Sequence, residues 1–180
     1  WGMLEKIAVN LMAGVPAIVK PSEYTCYLTE VMVKDIIASK ILPEGSLQLV
    51  CGLGRGIIDH VDARDTVTFT GSAATGKILK GLPHIIDRSV SFNLEADSLN
   101  ASILGERATP DTEEFNLFVK ECVKEITIKA GQKCTAVRRI IVPEKLLDEV
   151  QTAISAKLEK TKIGDPSIEG VRMGALATKL

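Results

Sequence analysis

The feature that most limits the fold of this chain is a rhythm. Short apolar runs are closed by glycine or proline and alternate with longer stretches of helical spacing. Ala17-Ile18-Val19-Lys20-Pro21 reads as a buried strand end, because a brief apolar run meets proline. Residues 25–41 carry helical periodicity, with Leu28, Met32, Ile36 and Ile37 expected on one side. Leu42-Pro43-Glu44-Gly45 turns the chain into a second strand over residues 47–51, and Gly52-Leu53-Gly54-Arg55-Gly56 follows. The pattern then predicts a short helix over 57–60, a strand over 66–70, a helix over 72–81 and a strand over 89–94. Strands separated by helices in this order imply a parallel sheet with helices on its faces. Such sheets bind ligands beyond the carboxyl ends of their strands, so the residues just after each strand are the first candidates for a site.

The second half changes flavour. A short strand is expected over 101–104, and Thr109-Pro110-Asp111 reads as a helix start with proline at the first helical position. A long amphipathic helix is expected over 113–129, then Gly131-Gln132-Lys133-Cys134, a strand over 136–142 and a helix over 144–160. The expected fold is therefore α/β. A doubly wound, Rossmann-like cofactor lobe over 1–97 is followed by part of an α/β catalytic lobe over 98–180. Residues 1–12 already read as mid-domain helix, and residues 173–180 stop without a cap or tail, so the chain is expected to be truncated at both ends.

Composition removes several classes of function. The net charge is -1, so no bulk field draws the chain to nucleic acid or anionic lipid. The notable basic doublet, Arg138-Arg139, would point to opposite faces of a strand and make a poor phosphate clamp. No apolar run has the length of a membrane span, and nothing resembles a secretory signal. Cys26, Cys51, Cys122 and Cys134 form no C-x-x-C pair, and there are two histidines, so no metal site is expected. A reduced, cytoplasmic setting fits these cysteines. His60 and His84 are expected to be structural.

Two glycine-rich segments invite a nucleotide reading. Gly71-Ser72-Ala73-Ala74-Thr75-Gly76-Lys77 matches the first seven positions of a phosphate-binding P-loop. The eighth position, where Ser or Thr would bind magnesium, is Ile78, which cannot ligate a metal. The amides opening the helix at Ser72 and Ala73 still suit an anion, although Ser72 also reads simply as a helix cap. Gly52 to Gly56 is G-x-G-x-G and by itself indicates only a tight turn.

Several motifs now occur in one order: Lys20-Pro21-Ser22-Glu23, Gly52-x-Gly54, Phe69-Thr70-Gly71-Ser72, Asn93-Leu94-Glu95 and Gly131-Gln132-Lys133-Cys134. In that order, and over essentially the whole chain, they resemble the aldehyde dehydrogenase superfamily. Two longer runs narrow the resemblance: Glu95-Ala96-Asp97-Ser98-Leu99-Asn100, and the stretch from Lys129 to Pro143. They are similar to the aldehyde dehydrogenase domain of bifunctional phenylacetic acid degradation proteins. That family joins the dehydrogenase to an enoyl-CoA-hydratase-like domain. It opens a ring-expanded oxepin-CoA and oxidises the resulting CoA-linked semialdehyde.

The resemblance implies a mechanism. Cys134 would attack the aldehyde as a thiolate, the adduct would release hydride to nicotinamide, and Glu95 would act as general base for hydrolysis of the thioester. The backbone N–H of Cys134 would be one oxyanion donor. The family's second donor, an Asn side chain, and a Glu that meets the nicotinamide ribose would lie outside this chain, leaving it a poor catalyst alone. Lys20 and Glu23 would reach the adenosine ribose, with Ser22 in the same motif. Gly54 would admit the backbone to the adenine side, Ser72 would hold the pyrophosphate, and Phe69, Thr70 and Gly71 would flank the path to the nicotinamide. The narrower family favours NADP, whereas a carboxylate such as Glu23 beside the ribose favours NAD. The partner expected is a small aldehyde, CoA-linked, handled by a homo-oligomer fused to the hydratase-like domain. Ala96 and Asp97 depart from the superfamily, which carries glycines there. A CoA-acylating dehydrogenase is the near alternative, against which Glu95 argues. A non-catalytic nucleotide-binding fragment is the alternative from another class. Standing alone, Cys134 would read as a small buried apolar residue, as Cys26, Cys51 and Cys122 do.

Overall fold

A computed structural model describes residues 2–54 and 56–178. Trp1, Arg55, Lys179 and Leu180, which enter the sequence reading, lie outside the described residues. The elements in order are α1 (Gly2–Met12), β1 (Ala17–Val19), α2 (Cys26–Ala38), β2 (Leu47–Leu49), β3 (Thr66–Gly71), α3 (Ala73–Lys80), α4 (Pro83–Asp87), β4 (Ser91–Ala96), β5 (Ala101–Ile103), α5 (Glu113–Thr127), β6 (Arg139–Ile141) and α6 (Leu147–Leu158). The fold is α/β. Among the described residues β1 pairs with β2, β3 with β4, and β5 with β6. The first and last pairs are parallel, in registers that set Ala17 opposite Leu47 and Ala101 opposite Arg139.

The chain forms two compact units. One comprises the described residues up to Val67 with Gly81–Phe92, and the other Thr68–Lys80 with those from Asn93 onward. In the first, Ile7, Ala17, Val33 and Leu47 form a buried cluster, so α1 and α2 both contribute to the core around the β1–β2 pair. This core corrects the face expected for α2. Val33 is buried and Ile36 packs beside it, whereas Leu28 and Ile37 are 61% and 56% exposed. Positions 33 and 36 are neighbours one turn apart, and it is the sheet that selects their side of the helix. The helix α4 has no counterpart in the sequence reading. It is only five residues long, begins at Pro83, and buries Ile85. His84 lies 2.7 Å (Nε2) from the carbonyl of Val61, a structural role as expected.

In the second unit, Leu104, Ala108, Phe115, Val119, Leu146 and Val150 form the core that joins α5 to α6. The helix α5 begins at Glu113 as its spacing predicts, whereas Thr109-Pro110-Asp111, read as a helix start, is not helical. Thr112 caps the helix, its Oγ1 accepting from the Phe115 N–H at 3.3 Å, and Glu113 and Glu114 complement the positive end of the helix dipole. Pro110 lies in the turn ahead of the cap. The helix ends at Thr127 rather than Lys129, because Ile128 is extended (ψ 123°) and Lys129 and Ala130 after it adopt left-handed backbone (φ +52° each). The stretch expected as one helix over 144–160 is a short 3-10 turn, Glu144–Leu146, followed by α6.

Candidate active site

Cys134 sits on the connection between α5 and β6, and it is exposed. Three successive left-handed residues, Lys129, Ala130 and Gly131 (φ +52°, +52° and +71°), lead into it. Only glycine adopts such backbone at no cost, so the two residues with Cβ atoms mark a strained approach. The loop is then gripped by side chains. Arg138 donates from Nη1 to the Gly131 carbonyl and from Nη2 to the Lys133 carbonyl, both at 3.1 Å. Asn100 donates through Nδ2 to the Cys134 carbonyl at 2.6 Å and to the Ala136 carbonyl at 3.1 Å. The Asn100 carbonyl in turn accepts from the Arg138 and Arg139 N–H groups at 2.8 and 3.1 Å, which locks the loop's exit to the start of β5. Lys133, beside the thiol, is engaged by Glu125 (Nζ to Oε1, 2.8 Å), whose other oxygen is buried without a hydrogen-bond partner among the described residues. Among the described residues the Cys134 N–H donates to no backbone carbonyl.

Glu95 lies exposed near the end of β4. Asn100 lies five positions further along the chain, which limits their Cα separation to at most about 18 Å. Asn100 donates directly to the Cys134 carbonyl, so the segment that leaves β4 after Glu95 leads to the residue that holds the Cys134 loop. Behind β4, the buried Gly76 of α3 packs on Leu94. A Cβ at that position would overlap the Leu94 side chain, with its Cγ only 3.2 Å away.

Ser72 caps α3: its Oγ accepts from the Thr75 N–H at 3.1 Å and lies 3.0 Å from Thr75 Oγ1. Asp97 adopts left-handed backbone (φ +49°) and its Oδ2 accepts from the Ala73 N–H at 3.3 Å, so a carboxylate lies at the amide end of α3. Just ahead, Phe69 is half-buried and folds toward Gly71, where a Cβ would come within 2.6 Å of its ring; Thr70 is exposed between them.

Lys20, Ser22, Glu23 and Gly54 belong to the first unit, and Phe69, Thr70, Gly71, Ser72, Glu95 and Cys134 to the second. Lys20 leaves the end of β1, and Ser22 and Glu23 lie exposed in the turn before α2. Ser22 accepts the Thr25 N–H through its carbonyl at 3.1 Å. The stem of Lys20 crosses Gly54, where a Cβ would approach Lys20 Cγ and Cδ to 3.0 Å and where φ is +64°. Two separate motifs of the sequence are thereby brought into contact, and Gly54 is the residue that permits it.

Cys122 is buried in α5, and burial pushes its thiol up, away from reactivity. Among the described residues no group of three or more His, Cys, Asp or Glu gathers as it would for a metal ion. No helix of the described residues is long and apolar enough to cross a membrane. Asn100 and Arg138 escaped the sequence reading. Arg138 was read as one half of a strand doublet, but β6 begins at Arg139 and the Arg138 guanidinium turns back onto the loop. A run of turn-forming residues with several carbonyls to satisfy, followed by an Arg, is the signal that could have found it.

Residues 2–180 match the aldehyde dehydrogenase family. The chain is 48% identical over 179 residues to a 3,4-dehydroadipyl-CoA semialdehyde dehydrogenase of Aromatoleum evansii, covering 99% of this chain and 35% of that protein. It is 32% identical to a putative aldehyde dehydrogenase of Staphylococcus haemolyticus, over 97% of this chain and 36% of that one. Among solved structures it is similar to betaine aldehyde dehydrogenase from Staphylococcus aureus in complex with NAD+. The TM-score is 0.80 at 28% identity, over 97% of this chain and 34% of that chain. The chain thus spans about a third of the length of the relatives it matches. With a full-length family match and a fold to agree with it, the chain belongs to the aldehyde dehydrogenase family.

Proposed function

We propose that the protein carrying this chain oxidises an aldehyde to a carboxylic acid, with Cys134 as nucleophile and Glu95 as general base. The substrate is a CoA-linked semialdehyde of aromatic catabolism, specifically that of phenylacetate degradation. The observation that carries this reading is an exposed thiol on a loop whose peptides are pinned by Arg138 and by Asn100, which follows Glu95 by five positions. The semialdehyde named for the Aromatoleum evansii relative supports the substrate class. In this reading residues 1–97 serve the cofactor lobe and 98–180 the catalytic lobe of a cytoplasmic homo-oligomer, fused to an enoyl-CoA-hydratase-like domain.

The Cys134 sulfur adds to the aldehyde carbon and the carbonyl oxygen becomes an oxyanion beneath the Cys134 N–H. A bound nicotinamide supplies the hydride acceptor. The acyl group left on Cys134 is a thioester, and Glu95 takes a proton from the water that cleaves it, freeing the acid and the thiol. Lys20, Ser22, Glu23 and Gly54 would hold the adenosine half of the cofactor. The contact of the Lys20 stem with Gly54 supports a backbone cradle there. Ser72 and the amide end of α3 would meet the pyrophosphate, with Phe69, Thr70 and Gly71 toward the nicotinamide. NADP is the preferred form on the resemblance to phenylacetate-degrading proteins. Glu23, and the NAD+ bound in the Staphylococcus aureus enzyme, support NAD as the alternative.

The test is reduction of NAD or NADP by the protein carrying this chain, given a CoA-linked semialdehyde, beside Cys134→Ala and Glu95→Gln. Reduced nicotinamide should form only with Cys134 present, and Glu95→Gln should give a burst of one equivalent followed by slow turnover. No reduction with either cofactor would remove the dehydrogenase reading and favour a nucleotide-binding role. Transfer of the acyl group to CoA, undiminished in Glu95→Gln, would favour the acylating type.

A further inference from the structure

We infer that Arg138, together with Asn100, is a positioning residue that aims the peptide N–H of Cys134 at the reacting carbonyl. The inference rests on the dehydrogenase reading above. A trans peptide is planar, so its N–H points opposite to its own carbonyl. The carbonyl of Lys133 and the N–H of Cys134 belong to one peptide, and Arg138 Nη2 donates to that carbonyl at 3.1 Å. Holding the carbonyl therefore fixes the direction of the N–H. Asn100 does the same for the next peptide through the Cys134 carbonyl at 2.6 Å. Carbonyls of Gly131, Lys133, Cys134 and Ala136 thus all accept from these two side chains, and their peptide donors are turned away from them.

The guanidinium also adds charge to what geometry provides. A cation at the carbonyl end polarises the Lys133–Cys134 peptide and strengthens its N–H as a donor. Its planar fork spans two carbonyls at once, Gly131 and Lys133, which a single ammonium cannot do in the same geometry. The grip on Gly131 lies at the end of the left-handed run Lys129-Ala130-Gly131. Residues with Cβ atoms keep such backbone only where their surroundings hold it. Lys133 cannot substitute for Arg138, because its ammonium is engaged by Glu125.

The experiment compares Arg138→Gln and Arg138→Lys with wild type in the protein carrying this chain. Two rates are read: the pre-steady-state burst of reduced nicotinamide, and alkylation of Cys134 by iodoacetamide. Alkylation at a saturated carbon creates no oxyanion and does not need the aimed N–H. Arg138→Gln is expected to slow the burst by about tenfold to a hundredfold with alkylation and KM for the nicotinamide unchanged. Arg138→Lys should recover part of the burst rate, since it keeps the charge and one of the two bonds. An unchanged burst in Arg138→Gln overturns the inference. So does a parallel fall of burst and alkylation in both variants, which marks Arg138 as a structural support of the loop. A wild type that alkylates but reduces no nicotinamide overturns the dehydrogenase reading itself, and this inference with it.

Discussion

At the scale of single residues, Asp97 is the clearest departure from the superfamily pattern. It occupies left-handed backbone, which glycine adopts freely and which Asp tolerates better than most residues. Its carboxylate takes the Ala73 N–H at the end of α3 where a pyrophosphate is proposed to lie. Both groups are anionic and both seek the positive end of the helix. Asp97→Gly should therefore keep the backbone and lower the KM for the nicotinamide. A helix-end charge is worth 0.3–1 kcal/mol, so the change is about two- to fivefold. Steady-state titration of the cofactor checks it, and a raised KM would show that the Asp97 bond supports the site instead of competing for it. Arg138 makes a related point. An Arg read from spacing as one half of a strand doublet proves to be bonded to two carbonyls of the Cys134 loop.

At the scale of elements, the packing of α3 on β4 couples a helix to the strand that carries Glu95. Gly76 is buried because the Leu94 side chain fills the space a Cβ would need. Gly76→Ala improves helix propensity by about 1 kcal/mol, but forcing a methyl into a packed contact costs about 1–3 kcal/mol. The net is a loss of about 1 kcal/mol, measured by urea unfolding. The displaced strand should also slow thioester hydrolysis more than the hydride burst. Leu94→Ala should cost less stability in the Gly76→Ala background than in wild type, because the added methyl then has room. An additive cycle would show that the two residues do not press on each other. The elements also mark where periodicity misleads. Spacing named Leu28, Met32, Ile36 and Ile37 for the buried side of α2; packing keeps Ile36, adds Val33 and leaves Leu28 and Ile37 exposed.

At the scale of the whole molecule, many large apolar side chains of the first unit face solvent. Val9, Met12, Ile18, Leu28, Val31 and Ile41 are between 58% and 91% exposed. Apolar patches of this kind mark surfaces that another segment or chain covers. The isolated 180-residue polypeptide is therefore expected to bind the dye ANS and to self-associate as its concentration rises, read by fluorescence and light scattering. A monomer without dye binding at all concentrations would show that these side chains are tolerated in water.

What the sequence determined by itself was the α/β class, the family and the order of the elements apart from α4. Those follow from local patterns: the alternation of apolar runs and helical spacing, and ordered motifs such as Gly131-Gln132-Lys133-Cys134. What only the tertiary structure decided was which groups meet. Thr112 rather than Thr109 caps α5, Lys20 lies across Gly54, Asp97 reaches Ala73, and Asn100 and Arg138 close on the carbonyls around Cys134. Apart from the Lys20–Gly54 contact, which is one of close packing, the physical reason is the same in each case. A backbone carbonyl or N–H must find a partner once the chain is compact. The partner chosen depends on what packing brings within hydrogen-bond reach, often from dozens of residues away.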